Sequence, residues 1–222
     1  MNNYVLSETS SAQKDLSAYV ALLNYRFMNL CIKAEVASLM PVTIYIGNDE
    51  CDIEDVADVT LPNDYQMAVY PKNPNNLSAI IQGIYEAHPE FKMEIKSNEG
   101  SEDEASKYVL YTMPEVDENR RDLLMNGVKG LHEECKARIN AVYGKYQARF
   151  TELSVKVSTQ DTDDVNKALD DVYDKCIDMT DELLIQKQQE IEEGYEKYVK
   201  DQEQKKEMEF DYSKGIKLFD VE

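Results

Sequence analysis

A chain of 222 residues with 42% hydrophobic content can bury one large core or two modest ones, which excludes a disordered protein. Its 24 Lys and Arg against 44 Asp and Glu leave a net charge of -20, which excludes a broad electrostatic hold on DNA, RNA or an anionic membrane; a charged partner should be basic, or its contact local. No apolar run approaches the roughly 18 residues of a membrane span, no signal-peptide pattern opens the chain, and Cys31, Cys51, Cys135 and Cys176 form no C-x-x-C pair, so a cytoplasmic protein with reduced, largely buried thiols is expected.

In chain order, residues 1–9 read as a lead-in, and Ser10 with Gln13 resembles a capping box. Leu16, Val20, Leu23, Phe27, Leu30, Ala34 and Ala37 then repeat at spacings of four and three, which predicts a first long helix over about 10–40. Pro41 and the β-branched run Val42 to Ile46, followed by Gly47, change the period to that of strand and turn. Strands are expected over 56–61, 66–70, 91–95 and 107–112, with one helix from about Asn75 or Asn76 to before Pro89, and a polar, acidic loop over 97–106.

The organising stretch starts at Met113. Pro114 halts helix upstream, and Asp117 is a good N-cap, its carboxylate able to accept from first-turn N–H groups. Leu124, Val128, Leu131, Cys135, Ile139, Val142, Tyr146, Phe150 and Leu153 form one stripe of a second helix over about 117–157. Thr162 caps a third, whose stripe runs through Val165, Leu169, Val172, Cys176, Met179, Leu183, Ile191, Tyr195 and Tyr198 to about residue 205. Residues 206–222 form a tail without a clear period. The expected fold class is therefore α+β: a long three-helix bundle (1–40 plus 114–205) carrying residues 41–113 as an inserted small αβ, mainly β, domain. Two connections at one end make an L-shaped, two-domain body with a hinge at Pro41 and Pro114. Leu23, Leu131 and Leu183 are expected to be buried in the bundle, and Lys129 exposed.

This order of elements resembles the ribosome recycling factor family over about residues 12–193. Met113 to Leu123 is similar to the family's Leu-Pro-Pro-Leu-Thr-Glu-Glu-Arg-Arg stretch, with Arg120 and Arg121 as the paired arginines. Ile44 to Gly47 resembles its Tyr-Tyr-Gly strand end, and Asp181 to Ile191 its closing run. Departures accompany the likeness. Where the family reads Arg-Thr-Gly-Arg-Ala the chain has Asn29 to Ala34, and where it reads Arg-Asn-x-Arg-Arg the chain has Asn140 to Gly144, so several phosphate-neutralising contacts are missing. The resemblance implies a non-enzymatic translation protein that binds the post-termination ribosome through ribosomal RNA and assists subunit separation with elongation factor G. Lys33, Arg120, Arg121, Lys136 and Arg138 would be its RNA contacts. The alternative is a paralogue that has lost ribosome binding and acts as an acidic module for a basic protein partner. A genome carrying a second copy with the full arginine stretches would favour that alternative.

Other residues carry weaker signals. Arg120, Arg138, Lys145, Arg149 and Lys156 share one helical angle beside the apolar stripe. With 17 acidic and 7 basic residues over 161–209, the third helix is the expected neighbour of that edge, and pairing inside the bundle outweighs an RNA-facing patch. His132 and Cys135 have helical i, i+3 spacing but no further ligands nearby, so a metal site is not expected. The acidic runs at Asp161 and Glu190 lack a calcium-loop spacing. Neither His88 nor His132 has a nucleophile beside it, and the eight glycines form no phosphate-cradling loop. No catalytic residue, cofactor or membrane contact is expected.

Overall fold

A computed structural model describes residues 3–97, 106–154 and 159–216. In chain order it contains α1 (Asn3–Phe27), β1 (Thr43–Ile46), β2 (Asp49–Asp52), α2 (Ile53–Val56), β3 (Ala57–Asn63), β4 (Gln66–Pro71), α3 (Leu77–Ala87), β5 (Lys92–Ser97), β6 (Lys107–Thr112), α4 (Glu118–Ser154) and α5 (Thr159–Ile216), with 3-10 turns at Val36–Leu39 and Pro74–Asn76. The three long helices bury their stripes against one another: Leu16, Val20, Leu23 and Phe27 from α1, Val128, Ile139, Tyr146 and Phe150 from α4, and Val165, Leu169, Cys176 and Ile191 from α5 form one core. Asp117 caps α4 as its chemistry predicts, its Oδ1 accepting from the Arg120 N–H at 2.7 Å.

A second core lies in the α+β unit. Strands in the order β3-β4-β6-β5, all antiparallel, present Met67, Val69, Val109 and Tyr111 inward. The hairpin β1-β2 and helix α3 add Ile44, Ile80 and Ile84. Gly47, at φ +66, supplies the left-handed first position of the two-residue hairpin loop between Ile46 and Asp49. Gly83 lets α3 lie against β1, since a Cβ there would stand 2.7 Å from the Thr43 carbonyl oxygen.

Several elements differ from expectation. The first helix begins at Asn3, so residues 3–9 are helix and no capping box operates at Ser10. It ends at Phe27, where turn bonds from the Asn29 N–H to the Arg26 carbonyl (3.3 Å) and from the Leu30 N–H to the Phe27 carbonyl (3.0 Å) close it. The apolar spacing continues through Leu30 and Ala34 because both are covered, but by different cores: Leu30 packs on the bundle and Ala34 belongs to the second cluster. Thr162 lies inside α5, which starts at Thr159 and continues to Ile216, past the expected end near 205. The hairpin partner Asp49–Asp52 and the single turn α2 carry no period long enough to be read. The expected end of the second helix at Lys156 and Val157, the acidic loop over 98–105, and Phe219 and Val221 of the tail lie outside the described residues.

Candidate nucleic-acid interface

The five basic residues expected to meet RNA spread over two edges of α4 and one loop. Arg120 and Arg138 share the edge that faces α1; Arg121 and Lys136 share the edge that faces α5; Lys33 stands exposed on the loop after α1. Arg120 is half-buried and donates from Nη2 to the Cys31 carbonyl at 2.9 Å. Burial pulls its guanidinium below the ordinary value, against the opposing charges of Cys31, Glu90 and Asp117. It is thereby engaged where the two cores meet. Arg121 pairs with Asp122 at 2.7 Å and lies 4.9 Å over the Tyr195 ring, with Glu192 at 3.8 Å. Lys136 donates to both Asp181 oxygens, at 3.0 and 3.2 Å. Arg138 is 61% exposed and reaches Glu134 at 3.5 Å, the same carboxylate that accepts from Arg26 at 3.0 Å.

Of the basic edge of α4, Arg149 pairs inside the bundle, and its neighbour is α1 rather than the third helix: it reaches the buried Glu8 at 2.8 Å, while Arg138 pairs with Glu134 of its own helix. Lys145 lies 5.7 Å over the Tyr146 ring, and Lys156 is outside the described residues. The acids of α5 instead meet the other edge, where Asp181 takes His132 at 2.6 Å and Asp170 takes the Tyr143 hydroxyl at 2.6 Å. Burial raises the Asp181 carboxyl, but hydrogen bonds and charge from Lys136 and His132 outweigh it and hold the group below the usual carboxylate range.

At Asn140 and Tyr143, where basic residues were expected to be missing, an aromatic pair takes their place. Tyr143 and Tyr173 pack with ring centroids 4.3 Å apart, and the Tyr173 hydroxyl donates to Asn140 Oδ1 at 2.7 Å. These groups tie α4 to α5 and carry no positive charge.

His132 and Cys135 do not converge. His132 turns to Asp181 on α5, whereas the Cys135 thiol donates to the Tyr19 carbonyl on α1 at 3.4 Å. Burial pushes the Cys135 thiol up to about 11 and the Cys31 thiol up to about 11. Among the described residues no cluster of His, Cys, Asp and Glu could hold a metal ion, and no helix is long and apolar enough to cross a membrane. His88 is buried at the end of α3, stacked on Phe91 at 4.5 Å and hydrogen-bonded through Nε2 to the Ser38 carbonyl at 3.0 Å and through Nδ1 to Glu90 at 3.2 Å. This is a satisfied core histidine joining the 3-10 turn to α3.

Comparison with known proteins agrees with this architecture. The family model described as ribosome recycling factor matches residues 27–191, more than half of the chain. A ribosome-recycling factor of Syntrophus aciditrophicus is 23% identical over 143 residues, covering 64% of this chain and 72% of that protein. A solution structure of the ribosome recycling factor superposes with a TM-score of 0.70 at 20% identity, over 87% of this chain and 100% of that one. A second match, at TM-score 0.55 and 18% identity, covers 84% of this chain and 98% of a chain described among models of the T. thermophilus ribosome recycling factor and the E. coli elongation factor G bound to the E. coli post-termination complex. With the helical bundle, the small antiparallel sheet unit and the Arg120–Arg121 junction all in place, this chain belongs to the ribosome recycling factor family.

Proposed function

We propose that the protein acts as a recycling factor: a non-enzymatic, cytoplasmic binder of the post-termination ribosome that works with elongation factor G in separating the subunits. The observation that carries this reading is the family match over 27–191, which spans both cores and the junction between them. Of the candidate RNA contacts, Lys33 and Arg138 are the two on exposed positions, and we assign the first phosphate contacts to them. Arg121 and Lys136, each held by an acid of α5, would exchange that partner for phosphate only if Lys33 and Arg138 do not make the contact, and Arg120 would position the junction rather than touch RNA. An exposed ion pair is worth about 0.2–1 kcal/mol, so such exchange is inexpensive beside a charge-assisted contact to phosphate. The alternative of an acidic module for a basic protein partner finds no support in the comparisons.

Co-sedimentation with intact ribosomes at low and moderate salt tests the reading. Pelleting at low salt, weakened as salt rises, is the expected result. A chain that stays in the supernatant at low salt is not a recycling factor.

A further inference from the structure

Both places where the chain crosses between the two cores are tied to one two-residue loop. At the tip of the β3-β4 hairpin, the Asp64 carbonyl accepts from the Ala34 N–H at 2.7 Å, and the Tyr65 carbonyl accepts from the Met113 N–H at 2.9 Å. Ala34 follows the outgoing crossing, and Met113 precedes the return through Pro114. Tyr65 itself packs against both cores. The side chains of the same two residues are held by α5: Lys197 Nζ meets Asp64 Oδ2 at 2.6 Å, and the Tyr198 ring meets the Tyr65 ring edge-on at 5.4 Å and 82°.

The contact is reinforced one turn earlier. A Cβ on Gly194 would collide with the Ile32 side chain, so the bare helix backbone there seats the loop after α1. Tyr195 on the next position carries Arg121 from the start of α4. All of these α5 residues lie past residue 191, where the match to the family model ends. A helix that ended there would leave the hairpin tip without the Lys197 and Tyr198 contacts.

We propose that the segment of α5 around Gly194 to Tyr198 is a strap that fixes the orientation of the sheet unit on the bundle by gripping the hairpin tip at Asp64 and Tyr65. Pro41 and Pro114 are then not a free hinge. Rotation of the sheet unit about the crossings requires the Lys197–Asp64 and Tyr198–Tyr65 contacts to part together, while the crossings themselves stay connected. The inference is independent of the ribosomal role, and its test needs no ribosome.

The experiment measures the distance between a spin label on Glu133, exposed on α4, and one on Thr60, exposed on β3, in the full chain. Both are attached through a non-native ketone side chain so that the four cysteines are untouched. The parent should give one narrow distance. Tyr198→Ala with Lys197→Ala should broaden or split the distribution, whereas Tyr198→Phe, which keeps the ring contact, should leave it narrow. Lys197→Ala alone removes an ion pair exposed on both sides and leaves both cores intact, so it reports even if the double variant loses stability. A broad distribution in the parent, or a narrow one in both alanine variants, overturns the strap.

Discussion

Asp181 is the acidic residue on which the α4–α5 seam converges, taking His132 and Lys136 from successive turns of α4. Because folding lowers its pKa, the folded chain favours the ionised carboxylate more strongly than the unfolded chain does. That contribution is fully present above the unfolded value of about 3.9 and is lost as pH falls through the lower folded value. Asp181→Asn removes the charge at every pH. Denaturant midpoints should therefore show the parent more stable than the variant at pH 7, with the difference closing only below about pH 4. A constant difference down to pH 3 would mean that the hydrogen bonds alone, and not the charge, hold the seam. Arg120 is the other residue whose setting decides its role. Half-buried against the Cys31 carbonyl, with its Nε unpartnered, it is the arginine least able to leave for a phosphate.

At the scale of elements, the stripes set the bundle but not every residue on them is equally deep. Leu23 is 2% exposed and Leu169 1%, whereas Leu131 and Leu183 are half-buried. Leu131 lines a groove of about 180 Å³ between α1 and α4, and Leu183 lines one of about 330 Å³ between α1 and α5. Leu169→Ala should cost about 2–5 kcal/mol, as for other core leucines. Leu131→Ala should cost clearly less, and Lys129→Ala, exposed on α4, should stay within about 0.5 kcal/mol. Thermal melts that rank Leu131→Ala level with Leu169→Ala would contradict this burial. On α5 the stripe also slips: Met179 is 52% exposed and Thr180 is fully buried, its hydroxyl donating to the Ile177 carbonyl at 2.7 Å. A pattern of apolar letters cannot place Thr180, because a hydroxyl that bonds back to its own helix hides its polarity. The end of α1 was illegible for a related reason. Leu30 and Ala34 keep the helical spacing, and the partners that claim the intervening backbone groups, Arg120 and Asp64, come from distant parts of the chain. The four strands of the larger sheet, α3 and the Asp117 cap were legible because alternation, flanking turn residues and capping are local. The pairing of Asp64 with Lys197 is not.

On the scale of the whole molecule, the net charge of -20 leaves few cations free for a contact with RNA, and several are already held by the chain's own acids. Arg121 lies against Asp122 and Glu192, Lys136 against Asp181, and Arg149 against Glu8. Tyr143 and Tyr173 join α4 to α5 without adding a cation. Ribosome affinity should therefore fall with salt less steeply than it would for a strongly basic factor, since the slope counts the phosphates neutralised. Lys33 and Arg138, exposed on the loop after α1 and on α4, are the assigned contacts. Lys33→Ala and Arg138→Ala should each weaken ribosome binding and lower the log–log salt slope by about 1. Lys136→Ala should act differently, lowering chain stability through Asp181 while leaving most of the slope intact. Binding isotherms at four or more salt concentrations, with the melting temperature of each variant alongside, separate the two effects. If Lys33→Ala and Arg138→Ala leave the slope unchanged, the contact with RNA runs through another surface, and the acids of α5 must release Arg121 and Lys136 for the ribosome.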